Sequence, residues 1–320
     1  MTAFDLPSAA RFLVEADLRP VQGSRFQPTG FPDLGPARFT LPSGTEMLLV
    51  ESAQSMANRL ERSIWDDVAK DVVPAARGLS WVRVERPDGS YLTSTIEEAH
   101  RLNSPYVLQA SEKRVFEVLR NEFAALDLAG VDIRAVARVV ARLDINSLLH
   151  GLFLAQDKLA GGRIRVPRAL SAFVEAADVS VAASGGVKND ILSAKGAGEG
   201  KKAAEGYGNV PFPREEFVAG GIVAYFNLDL QQLRAYGLPE PVTRLLFGLA
   251  LYKIRALLDR GLRFRTACDL VVVGLPRVTS PVGGTLPELA AMEEALPRLI
   301  QSAVATGALP TDSVVRVTYA

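Results

Sequence analysis

The chain has 320 residues, 48% hydrophobic and 22% charged, enough apolar material for a sizeable core. Its 36 Lys and Arg against 36 Asp and Glu exclude an unspecific polyanion sponge, but not a site that gathers positive charge locally. One cysteine, Cys268, excludes an intrachain disulfide, and no signal peptide or membrane-length apolar run is visible, so the expectation is a soluble, cytoplasmic protein with no membrane contact.

From Arg11 to Val21, the residues Phe12, Val14, Ala16 and Leu18 alternate with polar ones, the period of a half-buried strand. Gly23 to Gly44 is dense in Gly and Pro, holds Phe26, Phe31, Phe39, Arg25 and Arg38, and reads as a long working loop. Thr45 to Asp67 reads as a helix, because Leu49, Val50, Ala53, Ala57, Leu60 and Ile64 recur at helical spacing. Pro87, Asp88 and Gly89 turn a hairpin. Ser111 is expected to cap a helix with the stripe Val115, Leu119, Phe123 and Leu126, and a shorter helix runs from Asp132 to Leu143. Leu148 to Ala155 reads as a buried strand, and Phe173 to Val181 as another.

The stretch 183–213 is poor in large apolar residues and nearly low-complexity in the middle. Beyond it come a strand from Phe217 to Leu228, a helix opened by Pro239 and ended by Gly261, and a strand from Phe264 to Val273. A helix from Leu286 to Thr306 and a strand from Ser313 to Tyr319 complete the series. No internal repeat is visible. This order predicts an α+β fold, a palm of the RNA-recognition-motif or ferredoxin-like kind with helices on one face of an antiparallel sheet. One domain spans 1–320, with large loop insertions at 23–44 and 183–213.

Little in the sequence points to catalysis. Of the two histidines, His150 lies in the apolar run SLLHGLFLA and reads as a satisfied core residue, while His100 reads as surface. No His or Cys stands at metal-ligand spacing, and no nucleophile motif occurs, so no catalytic residue, metal or cofactor is expected. GAGEGKK, Gly196 to Lys202, resembles a phosphate loop but has Lys195 where the first Gly belongs and Lys202 where Ser or Thr belongs. It reads as a flexible basic loop. Arg163, Arg165 and Arg168 form one basic cluster, with Arg163 and Arg165 on one face if the segment is a strand. Lys188, Lys195, Lys201 and Lys202 form a second, and Arg244 to Arg265 a third with six bases against Asp259. Each alone is a solvated face; together they suggest charge gathered on one surface.

The most informative helix is ESAQSMANRLER, Glu51 to Arg62. Opposite its apolar stripe it shows Gln54, Ser55, Asn58, Arg59 and Arg62, groups that reach phosphate oxygens or 2′-hydroxyls. On this reading Arg59 forks onto a phosphate and is dispensable for folding.

LLVESAQSMANRLE, Leu48 to Glu61, resembles the signature helix of the Cas-seven-type backbone proteins (RAMP superfamily) of type I-U, or I-G, CRISPR systems. The resemblance continues in PTGFPDLGPARF, in HGLFLA and in GGRIRVPRALSAFVEA, Gly161 to Ala176. It implies a right-hand shape, with a palm carrying thumb and finger insertions. It also implies copies assembled head to tail in a helical filament along a guide RNA (crRNA), beside other effector subunits of a Cascade complex. Target DNA is then read by guide pairing, in antiviral defence. Under it Gln54, Ser55, Asn58 and Arg59 become backbone contacts, and 23–44 and the loop around Lys195 to Lys202 become thumb or finger. The alternative is an RNA-cleaving enzyme of the same superfamily using Asp33 or His100; the type I branch implies that the backbone does not cut.

Overall fold

Alternation along Arg11–Pro20 builds the strand it predicts, with Phe12, Val14, Ala16 and Leu18 buried. In this computed structural model, which describes residues 4–31, 34–124, 131–188 and 210–320, that strand sits mid-sheet. Its palm strands lie in the order Cys268–Val272, Arg11–Pro20, Gly221–Asp229, Leu170–Ala177, all antiparallel to their neighbours. The helix Ala53–Arg62, here α1, falls between the first and second palm strands in sequence, and Glu240–Arg260 between the third and fourth. Strand-helix-strand-strand-helix-strand, arranged in space as fourth, first, third, second, is the ferredoxin-like plan, and the fold is α+β as expected. Both helices cover the buried face; Phe12 meets Phe247 of the long helix edge-on, ring centres 5.4 Å apart.

The sheet is wider than the plan. Leu262–Arg265 extends one edge; Glu46–Glu51 and then Arg38–Thr40 extend the other. The expected helix from Thr45 to Asp67 is thus a strand followed by a helix. MLLV fits either period, but Leu48 and Val50 are buried in the sheet, and the Ser52 hydroxyl starts α1 by accepting from the Ser55 N–H at 3.3 Å. The end of the expected Gly23–Gly44 loop supplies the edge strand Arg38–Thr40.

The second and third palm strands are shorter than expected. At Asp178, with φ +54°, and at Gly220 they kink and continue as the paired ribbon Ser180–Lys188 and Val210–Val218. Phe264 to Val273 is likewise a hairpin of two strands, Leu262–Arg265 and Cys268–Val272. Between α1 and the second palm strand lies a long excursion, 63–169. Its hairpin of Trp81–Glu85 and Tyr91–Ser94 forms as expected and gains a parallel partner, Val314–Thr318. Ser111 does not cap the helix Arg114–Phe123: its N–H donates to the Thr318 carbonyl, and the helix begins at Lys113 in left-handed conformation. Asp132 does cap Ile133–Leu143. Leu148 to Ala155 divides into a helical turn, Ser147–His150, and a strand, Leu152–Leu154. Among the described residues no helix is long and apolar enough to cross a membrane.

Candidate nucleic-acid interface

The α1 helix turns Met56, Ala57 and Leu60 into the core and Gln54 and Asn58 outward, with Ser55 half-exposed between them. Among the described residues, the side chains of Gln54, Ser55 and Asn58 have no protein partner. Everything around this stripe is tied down. On one flank, Arg59 donates to the carbonyls of Phe264 (2.7 Å) and Arg263 (3.2 Å), lies over the Phe264 ring at 4.9 Å and stands 3.8 Å from Glu51. Burial lowers its pKa, against the pull of Glu51. Arg265 binds Glu51 at 2.6 Å and the Gln27 carbonyl at 2.8 Å. Arg62 forks onto Asp67, both contacts 2.7 Å, and reaches Glu97 at 3.4 Å. At the first turn, Arg168 donates to the Ala53 carbonyl at 3.2 Å. Arg59 and Arg168 therefore position α1, whatever else they touch.

Beneath α1 lies a polar network that the sequence did not announce. Glu61, on the same helix, takes a fork from Arg101 at 2.6 and 2.7 Å, both residues buried. Burial pushes the Glu61 carboxyl up and Arg101 pulls it down. Lys253, on the long helix, is fully buried with its amine 3.4 Å from the Leu60 carbonyl, and burial pushes it down to about 7. Asp144 is buried too and accepts from the Ser147 hydroxyl at 2.7 Å; burial raises it. No periodicity marks these residues, because each sits where an apolar residue would also fit.

The other predicted contacts fall in two places. Arg25 and Arg38 gather at the base of the ribbon: Arg25 lies 3.6 Å from Glu216, Arg38 lies 3.5 Å from Glu46 and 5.8 Å from the Phe217 ring, and Phe26 bridges to Phe217. Arg165 and Arg168 line a cleft of about 660 Å³, with His100 and His150, between the turn Arg101–Asn103 and the hairpin Leu152–Leu154/Ile164–Val166. Arg163 precedes that hairpin's second strand and donates to the Ala160 carbonyl at 3.1 Å, so it and Arg165 do not share a strand face, though both are exposed. Lys188 ends the ribbon strand. Lys195, Lys201, Lys202 and Asp33 lie outside the described residues. The bases from Arg244 to Arg265 do not form one surface. Arg244 pairs with Asp5, Arg255 with Asp259, Arg260 with the Ser63 carbonyl, Arg265 with Glu51, and Lys253 is buried.

His150 is in the core as expected but is not satisfied: both ring nitrogens are buried without a hydrogen-bond partner. Burial first, then the charges of Lys253, Arg101 and Arg168, hold it well below the usual histidine range.

In RNA-recognition motifs the open sheet face stacks bases on aromatics. Here that face carries Phe173 stacked on Tyr225, ring centres 5.1 Å apart, but they lie among Glu15, Asp17 and Glu175. Arg277 pairs with both Asp17 and Glu15, and its hydrogen bond holds the Asp17 carboxyl low. An acidic row is a poor bed for phosphates, so α1 and the cleft beside it are the better interface.

The family model for "CRISPR-associated protein GSU0053" matches residues 12–181. That span runs from the first palm strand through α1 and the cleft into the ribbon. A search of curated proteins finds no match. Among solved structures, a chain titled "CRISPR RNA-guided surveillance complex, pre-nicking" is 15% identical, with 82% of this chain and 74% of that one covered and a TM-score of 0.41. Csc2 of Thermofilum pendens is 11% identical, with 92% and 78% covered and a TM-score of 0.34.

Proposed function

The chain belongs to the GSU0053 family of CRISPR-associated proteins, and we propose that it is a backbone subunit of the Cas-seven type that grips the guide RNA along the outward stripe of α1. The observation that carries this reading is the contrast within that helix. Gln54, Ser55 and Asn58 face outward without protein partners, while the surrounding arginines hold the helix in place. Neutral amides and hydroxyls bind sugar and phosphate without reading sequence, which suits a subunit that must accept any guide. Arg165 adds exposed positive charge beside the stripe; Arg25, Arg38 and Arg62, each already paired with a carboxylate, and Arg163, Lys188, Lys195, Lys201 and Lys202 are further contacts on this reading. Copies join head to tail, since a heterologous contact that does not close gives a filament. The filament, with other effector subunits, presents the guide's bases for pairing with target DNA. The subunit holds RNA and does not cut it; His100 and Asp33 take no chemical part.

Size-exclusion chromatography with RNAs of increasing length tests the array. The complex is expected to grow with the RNA; one fixed size at every length would sink the array. Incubating labelled RNA with Mg²⁺ or Mn²⁺ tests the rest: it should stay intact with wild type, His100→Ala and Asp33→Ala alike.

A further inference from the structure

The cleft beside α1 has an unbalanced wall. Its ionisable side chains are His100, Arg101, His150, Arg165 and Arg168, and none of the residues lining it is acidic. Arg101 is neutralised by Glu61. Arg168 donates only to carbonyls, those of His150 (3.4 Å) and Ala53 (3.2 Å); among the described residues no carboxylate bonds it, and Glu61, which acts on it through space, is already forked by Arg101. The Arg165 guanidinium is exposed and lies 4.6 Å from the centre of the Phe153 ring, also without a carboxylate. At the back sits His150, 1% exposed, with neither ring nitrogen hydrogen-bonded.

Buried polar atoms without partners are rare, and one that lines a cavity asks for a ligand. Two guanidiniums with no carboxylate bonded to them ask for a negative one. We propose that this cleft receives one phosphate group of the bound RNA's backbone, with Arg165 and Arg168 facing its oxygens and the His150 ring N–H donating from behind. The assignment rests on the guide-RNA reading above and adds to it a specific seat for one nucleotide. The flat pair of Arg165 and Phe153 at the rim offers the adjoining base a stacking surface. Burial is what chiefly holds His150 neutral, and of the positive charges that add to it a phosphate here would offset that of Arg168.

The chain has only two histidines, so its imidazoles can be followed one by one. Nitrogen-15 histidine NMR on the full chain, with His100→Gln to assign the signals, is to be recorded with inorganic phosphate, adenosine 5′-monophosphate and a single-stranded RNA. RNA is expected to move the His150 signals at concentrations where the two small phosphates do not. Arg165→Glu, at an exposed position, should keep the wild-type melting curve and lose RNA affinity by about tenfold or more. If inorganic phosphate or the nucleotide moves His150 as readily as RNA, the cleft is a small-anion site and the RNA assignment is overturned. If RNA binds while His150 stays unmoved and Arg165→Glu binds as wild type does, the cleft is empty and only the α1 reading stands. RNA that fails to bind at all removes both.

Discussion

Helix α1 and the hairpin Leu152–Leu154/Ile164–Val166 both carry arginines, and they use them differently. Around α1 the guanidiniums of Arg59, Arg62, Arg101 and Arg265 are committed to carbonyls and carboxylates of the protein itself. On the hairpin, Arg165 stands over an aromatic ring with no carboxylate partner. The same residue type is therefore a structural clamp in one place and an exposed cation in the other. A buried carboxylate or an unsatisfied carbonyl nearby captures the fork; where none is in reach, the charge faces outward. Around α1 this leaves the neutral side chains, not the charged ones, presented to a ligand.

Four variants probe that division, the largest effect first. Glu61→Ala leaves Arg101 buried without its partner and should cost about 3–5 kcal/mol in a denaturant titration. A variant as stable as wild type would mean that the fork does not hold the Arg101–Asn103 turn against α1. Arg59→Ala removes two hydrogen bonds to carbonyls and the packing on Phe264, and should cost about 1–3 kcal/mol in the same titration. An unchanged midpoint would return Arg59 to the class of exposed cations, where the sequence alone had put it.

His150 supplies the third. Its pKa is depressed in the folded chain, so the unfolded state takes up a proton first as pH falls. The stability it confers is whole above its ordinary value of 6.5 and is lost below it, by up to about 1.4 kcal/mol per pH unit. Glu61 and Asp144, held high by burial, act with the opposite sign. The measurement is therefore the difference between wild type and His150→Leu, by thermal melts from neutral pH downward. The variant should lose less stability on acidification, and parallel curves would show that His150 is protonated without cost. The smallest stability effect belongs to the stripe. Gln54→Ala with Asn58→Ala should stay within about 0.5 kcal/mol of wild type while RNA affinity falls similarly for every RNA sequence. Affinity equal to wild type would move the RNA off α1.

Much of the fold was legible before any coordinates. The alternation of Phe12 to Leu18, the short helix from Asp132 to Leu143, the Pro–Asp–Gly turn and the Gly261 stop each state their element locally. The misreadings arose where a short apolar run satisfies two periods, as at Met47 to Val50, or where a strand kinks without losing its pattern, as at Asp178. The candidate site was legible in part. The outward stripe of α1 follows from spacing, but the burial of Arg59 depends on Phe264, which lies far away in sequence and which no local pattern joins to it. The cleft was less visible still. It brings His100 and His150 together through the fold of the 63–169 excursion, and His150 in an apolar run looks like any core residue until its unpartnered nitrogens are seen.

The parallel pairing of Trp81–Glu85 with Val314–Thr318 has a consequence for how the chain is made. On a ribosome the hairpin of Trp81–Glu85 and Tyr91–Ser94 emerges long before its third strand, Val314–Thr318. The palm waits similarly, because Arg11–Pro20 pairs with Gly221–Asp229 and Cys268–Val272. The chain must therefore be outside the exit tunnel through Val272 before the palm can close, and through Thr318 before the other sheet can, with unpaired strand edges exposed in the meantime. A product stopped before Cys268–Val272 would have neither sheet complete.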